Sequence, residues 1–138
     1  MDIKRATARP TKIAAEDKFI GRVWQDEVLN GEATSRLRTT NVSLSPGGGT
    51  TWRSHPVGQT LYCVSGIERV QLEEGKVQEF HPGDTAMILP DTRHGHSAAP
   101  DRILVHLAMF EVNEKRVGTA CFKKVSGEDY TKPLALIE

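Results

Sequence analysis

Four polar residues stand in two pairs that can act on one ligand. Arg53 and His55 are two residues apart, and so are His94 and His96. Side chains two apart on a strand point to the same face, so each pair can line one wall of a cavity. Gln59 follows His55 by an even offset and can face the same way, provided that the intervening proline and glycine keep the register. Imidazole nitrogens and an amide oxygen that converge from distant segments suit a divalent first-row metal.

The spacing of these residues resembles the cupin superfamily. The first cupin motif is a glycine, five residues, His-x-His, three or four residues, an acid, six residues and a glycine. Gly47, Arg53, His55, Gln59 and Gly66 keep this spacing. Two residue types differ, because an arginine replaces the first histidine and a glutamine replaces the acid. The second motif is matched by Gly83, Pro90 and His94, with the glycine-to-histidine distance kept, although the proline sits one place late and the usual glycine after it is absent.

The resemblance implies a fold, a metal and an activity. It implies an all-β, single-domain cupin double-stranded β-helix, which is a jelly-roll barrel. His-Pro-Val-Gly-Gln-Thr-Leu and His-Gly-His-Ser-Ala-Ala-Pro are similar to small bacterial cupins that include the manganese-dependent hydroxynitrile lyases. The metal ligands would be His55, Gln59 and His94. Manganese is the first expectation for the metal, followed by iron, zinc or nickel.

Two further histidines are candidates for proton transfer. His96 follows His94 by two residues, and His106 lies in an otherwise apolar segment. Imidazole titrates near neutral pH, so either ring can serve as an acid or a base. The alternative for His106 is a hydrogen-bonded histidine of the core.

Arg53 complicates the metal prediction. A guanidinium stays protonated and offers no lone pair to a metal. Arg53 can turn out to solvent and leave three ligands, or it can bind an anionic substrate in its forked geometry. It can also occupy the site, so that no metal binds. We therefore place Arg53 among the catalytic candidates with His96 and His106.

Two functions of different class follow. The first is a metal-dependent carbon–carbon lyase that cleaves or forms small cyanohydrins, with the metal as Lewis acid and a histidine as base. The second is a non-lyase cupin that binds a small carboxylate through Arg53, with or without a metal. Whether the chain is an enzyme is left open, and the lyase is the favoured hypothesis.

Composition narrows the class of partner. The chain has 138 residues, with 18 basic and 18 acidic side chains and no basic stripe. It fits one domain with a core of its own, and the partner expected is a small molecule rather than nucleic acid or a membrane. The N-terminus has no apolar signal segment, which predicts a cytoplasmic protein. Cys63 and Cys121 are therefore expected to be unpaired.

Alternating polar and apolar residues predict the elements that position the site. We expect an N-terminal arm over residues 1–18, a barrel over 19–125 and a tail over 126–138 with a short helical turn at 126–130. The predicted strands are 19–24, 36–45, 59–66, 68–72, 77–80, 85–89, 95–98 and 103–112. Residues 103–110 are apolar on both faces. This pattern predicts either burial between the sheet and the arm or a homodimer interface. We favour the interface, and therefore a homodimer or a dimer-based tetramer.

Overall fold

A computed structural model of the chain describes residues 1–31 and 34–124. It contains one 3₁₀ turn, Ala6–Ala8, and otherwise strands and loops. No helix among the described residues is long and apolar enough to cross a bilayer. In chain order the strands are β1 Lys12–Ile13, β2 Phe19–Ile20, β3 Val23–Asn30, β4 Leu37–Leu44, β5 Gly49–Ser54, β6 Gln59–Ser65, β7 Glu68–Leu72, β8 Gln78–Phe80, β9 Thr85–Ile88, β10 His94–Ala98, β11 Leu104–Glu111 and β12 Ala120–Lys124.

The strands form two antiparallel sheets. The first sheet has the order β1-β3-β4-β11-β6-β9 and the second the order β12-β5-β10-β7-β8, with β2 also paired to β5. Strands that are neighbours in space are far apart in sequence, as in β4–β11 and β5–β10. The expectation of an all-β fold made of many short strands is confirmed.

Alternation along the strands builds the core between the sheets. Val42 and Leu44 of β4 face inward, and so do Leu61 and Cys63 of β6. Leu61 has no exposed surface, and its burial contributes roughly 1.5–3 kcal/mol. The buried apolar cluster comprises Phe19, Val23, Val42, Leu44, Leu61, Cys63, Phe80, Ile88, Ala98, Leu104 and Ala108.

Two glycines allow the turns on either side of β6. Gly58 and Gly66 have φ values of 84° and 89°, a region that residues with a Cβ rarely adopt. A Cβ on Gly58 would also lie 2.7 Å from the carbonyl oxygen of Ile88. The turn at Gly58 is what allows the chain to reverse between His55 and Gln59 and to bring both into one cavity.

Some local expectations were wrong. Strand β3 runs to Asn30 rather than ending at Trp24, because polar side chains are tolerated on its half-buried positions. Tyr62 is 38% exposed because it alternates with the inward-facing Leu61 and Cys63. In the arm, β1 pairs with β3 of the same chain. The predicted tail and its helical turn lie outside the described residues.

Candidate active site

A cavity of about 330 Å³ lies between the two sheets and contains most of the predicted site residues. The second sheet supplies Arg53 from β5, His55 just after it and His96 from β10, whereas the first sheet supplies Gln59 and His106. The cavity is lined by Ala15, Lys18, Phe19, Gln25, Thr40, Val42, Arg53, His55, Gln59, His96, His106, Ala108, Phe110, Thr119 and Cys121. A larger cleft of about 670 Å³ is lined by residues from Val70 to Ile88 and contains none of the predicted site residues.

Four imidazole rings follow one another in a row. The ring centroids are 5.4 Å apart for His55 and His94, 5.9 Å for His94 and His96, and 5.1 Å for His96 and His106. All four side chains are buried. The ring of Phe110 stacks on His55 at 5.1 Å and closes one end of the row. The structure thus brings together histidines from positions 55 to 106.

The three predicted metal ligands lie together at the His55 end of this row. The Nδ1 of His55 is 2.8 Å from the carbonyl oxygen of Gly118, and the Nδ1 of His94 is 3.0 Å from that of Thr92. A carbonyl only accepts, so Nδ1 carries the proton in both rings and each Nε2 keeps a lone pair. Donation of the other ring nitrogen to a carbonyl is the usual arrangement of metal-binding histidines.

The lone pairs at this end converge on one another. The Nε2 of His94 lies 3.1 Å from Oε1 of Gln59, so that two acceptors face each other. The Nε2 of His55 is buried and has no hydrogen-bond partner among the described residues. A cation at this point would satisfy these atoms, whereas rotation of the Gln59 amide would turn its NH2 donors toward the rings instead. The donor set therefore fits a divalent metal.

Burial keeps these imidazoles neutral. It lowers the pKa of His94 to about 4, with smaller lowering contributions from His55 and Arg53. Burial also lowers the pKa of His55, although the carbonyl of Gly118 opposes the shift. The pKa of His96 falls well below its usual value for the same reason, and the neighbouring histidines and Arg53 add to the effect. These rings therefore present lone pairs at neutral pH.

Arg53 is held in the wall of the cavity. It is directly opposite His94 across the β5–β10 pair, and only 9% of its surface is exposed. Its Nη2 donates to the carbonyl of Lys18 at 2.9 Å, and the guanidinium carbon lies 4.8 Å from the ring centroid of Phe19. The first of the three expected alternatives, in which Arg53 turns out to solvent, is therefore wrong.

A buried carboxylate completes the other end of the row. Glu68 has no exposed surface, and its Oε1 lies 2.8 Å from Nδ1 of His106 and 3.5 Å from Nδ1 of His96. Ligand atoms of Glu68, His96 and His106 all lie within 4.8 Å of one another. These three residues form a potential metal-binding triad at some distance along the row from His55.

Comparison with known proteins assigns the family. The model of the cupin domain matches residues 40–110, which include all four histidines of the row. The chain is a cupin. An (R)-mandelonitrile lyase from Granulicella tundricola is 36% identical to it over 111 residues, covering 80% of this chain and 85% of that protein. The resemblance noted from the motif spacing is confirmed.

Solved structures agree on the fold of this cupin. A cupin-like protein from Thermotoga maritima superimposes with a TM-score of 0.82 at 28% identity, over 92% of this chain and 95% of that one. The polyketide cyclase RemF from Streptomyces resistomycificus superimposes with a TM-score of 0.68 at 21% identity, over 79% and 78% of the two chains, and shows the fold alone.

Sequence reasoning missed one member of the site of this cupin. Glu68 was treated as the first residue of a strand, with no role assigned to its side chain. The available signal was its position on the same strand face as Val70, which predicts an inward-facing carboxylate. His106, by contrast, was expected to reach the cavity, and it does line it. The metal and proton-transfer roles of the predicted residues stay predictions.

Proposed function

We propose that this cupin is a metal-dependent lyase that cleaves and forms small cyanohydrins. The observation that carries the proposal is the convergence of two Nε2 lone pairs and the Gln59 oxygen beside two further histidines in one cavity. The 36% identity to a mandelonitrile lyase over most of both chains supports the same reaction class.

His55, Gln59 and His94 would hold the metal in this proposal. Manganese is the first candidate, followed by iron, zinc or nickel, because nitrogen and amide-oxygen ligands accommodate all of them. A bound divalent ion supplies Lewis acidity, which lowers the pKa of a substrate hydroxyl. The two Nδ1–H donors to Gly118 and Thr92 hold the rings in the orientation that such binding requires.

The other polar residues of the cavity, His106, His96 and Arg53, would carry out proton transfer and stabilise the leaving anion. His106, or alternatively His96, accepts the hydroxyl proton at a ring nitrogen. The electrons of the O–H bond form the aldehyde C=O bond, and the electrons of the C–C bond leave with cyanide. The positive charge of Arg53 stabilises the departing anion before it takes up a proton. Phe19, Val42 and Phe110 provide apolar surface for the organic part of the substrate.

Release of benzaldehyde from mandelonitrile tests the proposal. Protein freed of metal and then loaded with Mn²⁺ should release benzaldehyde faster than the same Mn²⁺ concentration without protein. His94→Ala should lose this rate, and the surface variant Tyr62→Phe should keep it. A wild-type rate equal to that of free Mn²⁺ would refute the lyase.

A second candidate is a cupin that binds a small carboxylate through Arg53. It is favoured by the anchoring of the guanidinium in the cavity wall, where its donors can bind a carboxylate in pairs. Titration of metal-free protein with mandelate, followed by calorimetry, distinguishes the two functions. Binding that is lost in Arg53→Leu, together with no release of benzaldehyde, would favour the carboxylate-binding function.

We also propose that the cupin forms a homodimer in the cytoplasm, either alone or within a dimer-based tetramer. Support for the dimer comes from the outer face of the first sheet, where Leu107 and Met109 of β11 are only half-buried. Tyr62, Val64 and Met87 on the neighbouring strands are 38%, 44% and 78% exposed. A second copy of the chain that covers this face would remove the apolar patch from water.

A further inference from the structure

The carboxylate of Glu68 is sealed inside the barrel, although the reaction proposed above gives it no task. Glu68 is the first residue of β7 and is completely buried. A buried carboxylate is unfavourable unless hydrogen-bond donors or a cation compensate its charge. Its surroundings therefore indicate what it does.

The closest donor to this carboxylate is His106. The 2.8 Å contact joins Oε1 of Glu68 to Nδ1 of His106, whereas the corresponding contact to His96 is 3.5 Å. The second oxygen, Oε2, has no hydrogen-bond partner among the described residues. Where the carboxylate accepts this bond, Nδ1 of His106 carries the proton. The unprotonated nitrogen of the neutral ring is then Nε2.

The two residues come from opposite sheets. Glu68 belongs to the second sheet and His106 to β11 of the first, and the side chain of His106 lines the cavity. Because Nδ1 is turned to Glu68, Nε2 is the nitrogen that remains for the cavity. His55 and His94 have the same tautomer but are held by backbone carbonyls. His106 is held by a charged group instead.

We propose that Glu68 is a positioning residue that fixes His106 with its proton on Nδ1 and presents Nε2 to the cavity as the proton acceptor. The negative carboxylate also stabilises the imidazolium that forms when Nε2 takes the substrate proton. This makes His106, rather than His96, the base. The proposed tautomer rests on the contact between Glu68 and His106, whereas its effect on the rate rests on the lyase proposed above.

Nitrogen NMR of the wild-type protein tests the tautomer without any assay of activity. In metal-free protein with ¹⁵N-labelled histidine, protonated and unprotonated ring nitrogens have widely separated shifts. We expect His106 to show a protonated Nδ1 and an unprotonated Nε2, with assignment by loss of the signal in His106→Gln. A proton on Nε2 would overturn the proposal. So would loss of the Nδ1 proton on addition of Zn²⁺, because it would assign Glu68, His96 and His106 to a metal site.

Substitution of Glu68 tests whether the tautomer of His106 affects the rate of the reaction. Glu68→Gln is isosteric, but its amide can donate to Nδ1 and so favours the opposite tautomer. We expect the ¹⁵N pattern of His106 to change, and kcat to fall about 100- to 10,000-fold with KM nearly unchanged, because the opposite tautomer removes the proton acceptor. Gln71→Leu is the matched control, because Gln71 is buried on the same strand but donates to the carbonyl of Gly75. The control should keep both the tautomer and kcat.

The outcomes separate the two proposals. Wild-type protein with the expected tautomer but no lyase activity would refute the lyase and leave the role of Glu68 in orienting His106 intact. An active wild-type protein whose Glu68→Gln variant keeps its kcat would refute the positioning role. If Glu68→Gln does not fold, the tautomer of the wild-type protein alone still decides whether Glu68 holds Nδ1.

Discussion

Removing the charge of Arg53 should strengthen metal binding at His55, Gln59 and His94. Arg53 is two residues from His55 and directly opposite His94. Two residues along a strand correspond to a separation of about 7 Å. At that distance and an effective dielectric of about 20, a unit charge and a dication repel each other by roughly 5 kcal/mol.

The observable effect should be about half of that value. The guanidinium is drawn toward the carbonyl of Lys18 and the ring of Phe19, and solvent in the cavity screens part of its field. A change of about 3 kcal/mol corresponds to a factor of about 100 in Kd. We therefore expect Arg53→Leu to bind Mn²⁺ or Zn²⁺ about 100-fold more tightly than the wild type. Arg53→His should bind still more tightly, because it also adds a ligand.

Calorimetric titration of chelator-treated protein measures these affinities, and elemental analysis of protein purified without added metal checks them. Arg53→Lys is the matched control, since it keeps the positive charge and should bind metal as weakly as the wild type. Arg53→Leu leaves the carbonyl of Lys18 without its donor and should cost about 1–3 kcal/mol of stability, so thermal melts must accompany the titrations. The reasoning is wrong if Arg53→Leu and Arg53→Lys bind the metal equally. The reasoning is also wrong if adding His55→Ala to the Arg53→His variant leaves the metal affinity of that variant unchanged.

Four further outcomes follow. Burial lowers the pKa of His94 to about 4 from 6.5, so between these pH values the folded metal-free protein binds fewer protons than the unfolded chain. Its stability should therefore fall as the pH drops through this window, by about 3 kcal/mol in total from this group, and His94→Gln should flatten the dependence in urea titrations. Leu107→Glu should shift the proposed dimer to monomer in analytical ultracentrifugation, and an unchanged sedimentation coefficient would contradict the proposed interface. Burial raises the pKa of Cys63 to about 11, so a thiol reagent should modify Cys121 alone in native protein and both cysteines after unfolding. Leu61→Ala should lower the free energy of unfolding by about 2–5 kcal/mol, measured by denaturant titration.

Much of the site could be predicted because its spacing is local. His55 and Gln59 share one short turn, and His94 and His96 share one strand. A period of two then suffices to place His94 and His96 on one face, whereas the turn at Gly58 carries Gln59 onto the first sheet. The β5–β10 pairing puts Arg53 opposite His94 and so joins the two segments side by side in the second sheet. The spacing of the cupin motifs predicted that these two segments meet, whereas alternation along a strand does not determine which strands pair.

The environments of the two buried charges could not be predicted in this way. Arg53 is held by the carbonyl of Lys18, 35 residues earlier, and Glu68 by His106, 38 residues later. Both contacts depend on which strands become neighbours and in which register. Tyr62 shows the same limit: alternation along β6 gives the direction of its side chain, whereas the burial of that face depends on what covers it.

In the lyase proposed above, the two buried charges would assign different tasks to the two ends of the row of imidazoles. Arg53 lies at the end with His55 and His94, where its charge helps to keep the pKa of both rings low and their lone pairs available. Glu68 lies at the end with His106, and its Oε1 is 2.8 Å from Nδ1 of that ring. Cleavage of a cyanohydrin needs an electrophilic group near the hydroxyl oxygen and a base near its proton. Exchanging the two charges, with Arg53→Glu and Glu68→Arg, would place the anion beside the metal ligands and the cation beside the base. That double variant should bind metal more tightly than the wild type and yet lose kcat, because the acceptor at Nε2 of His106 would no longer be stabilised as it takes the proton.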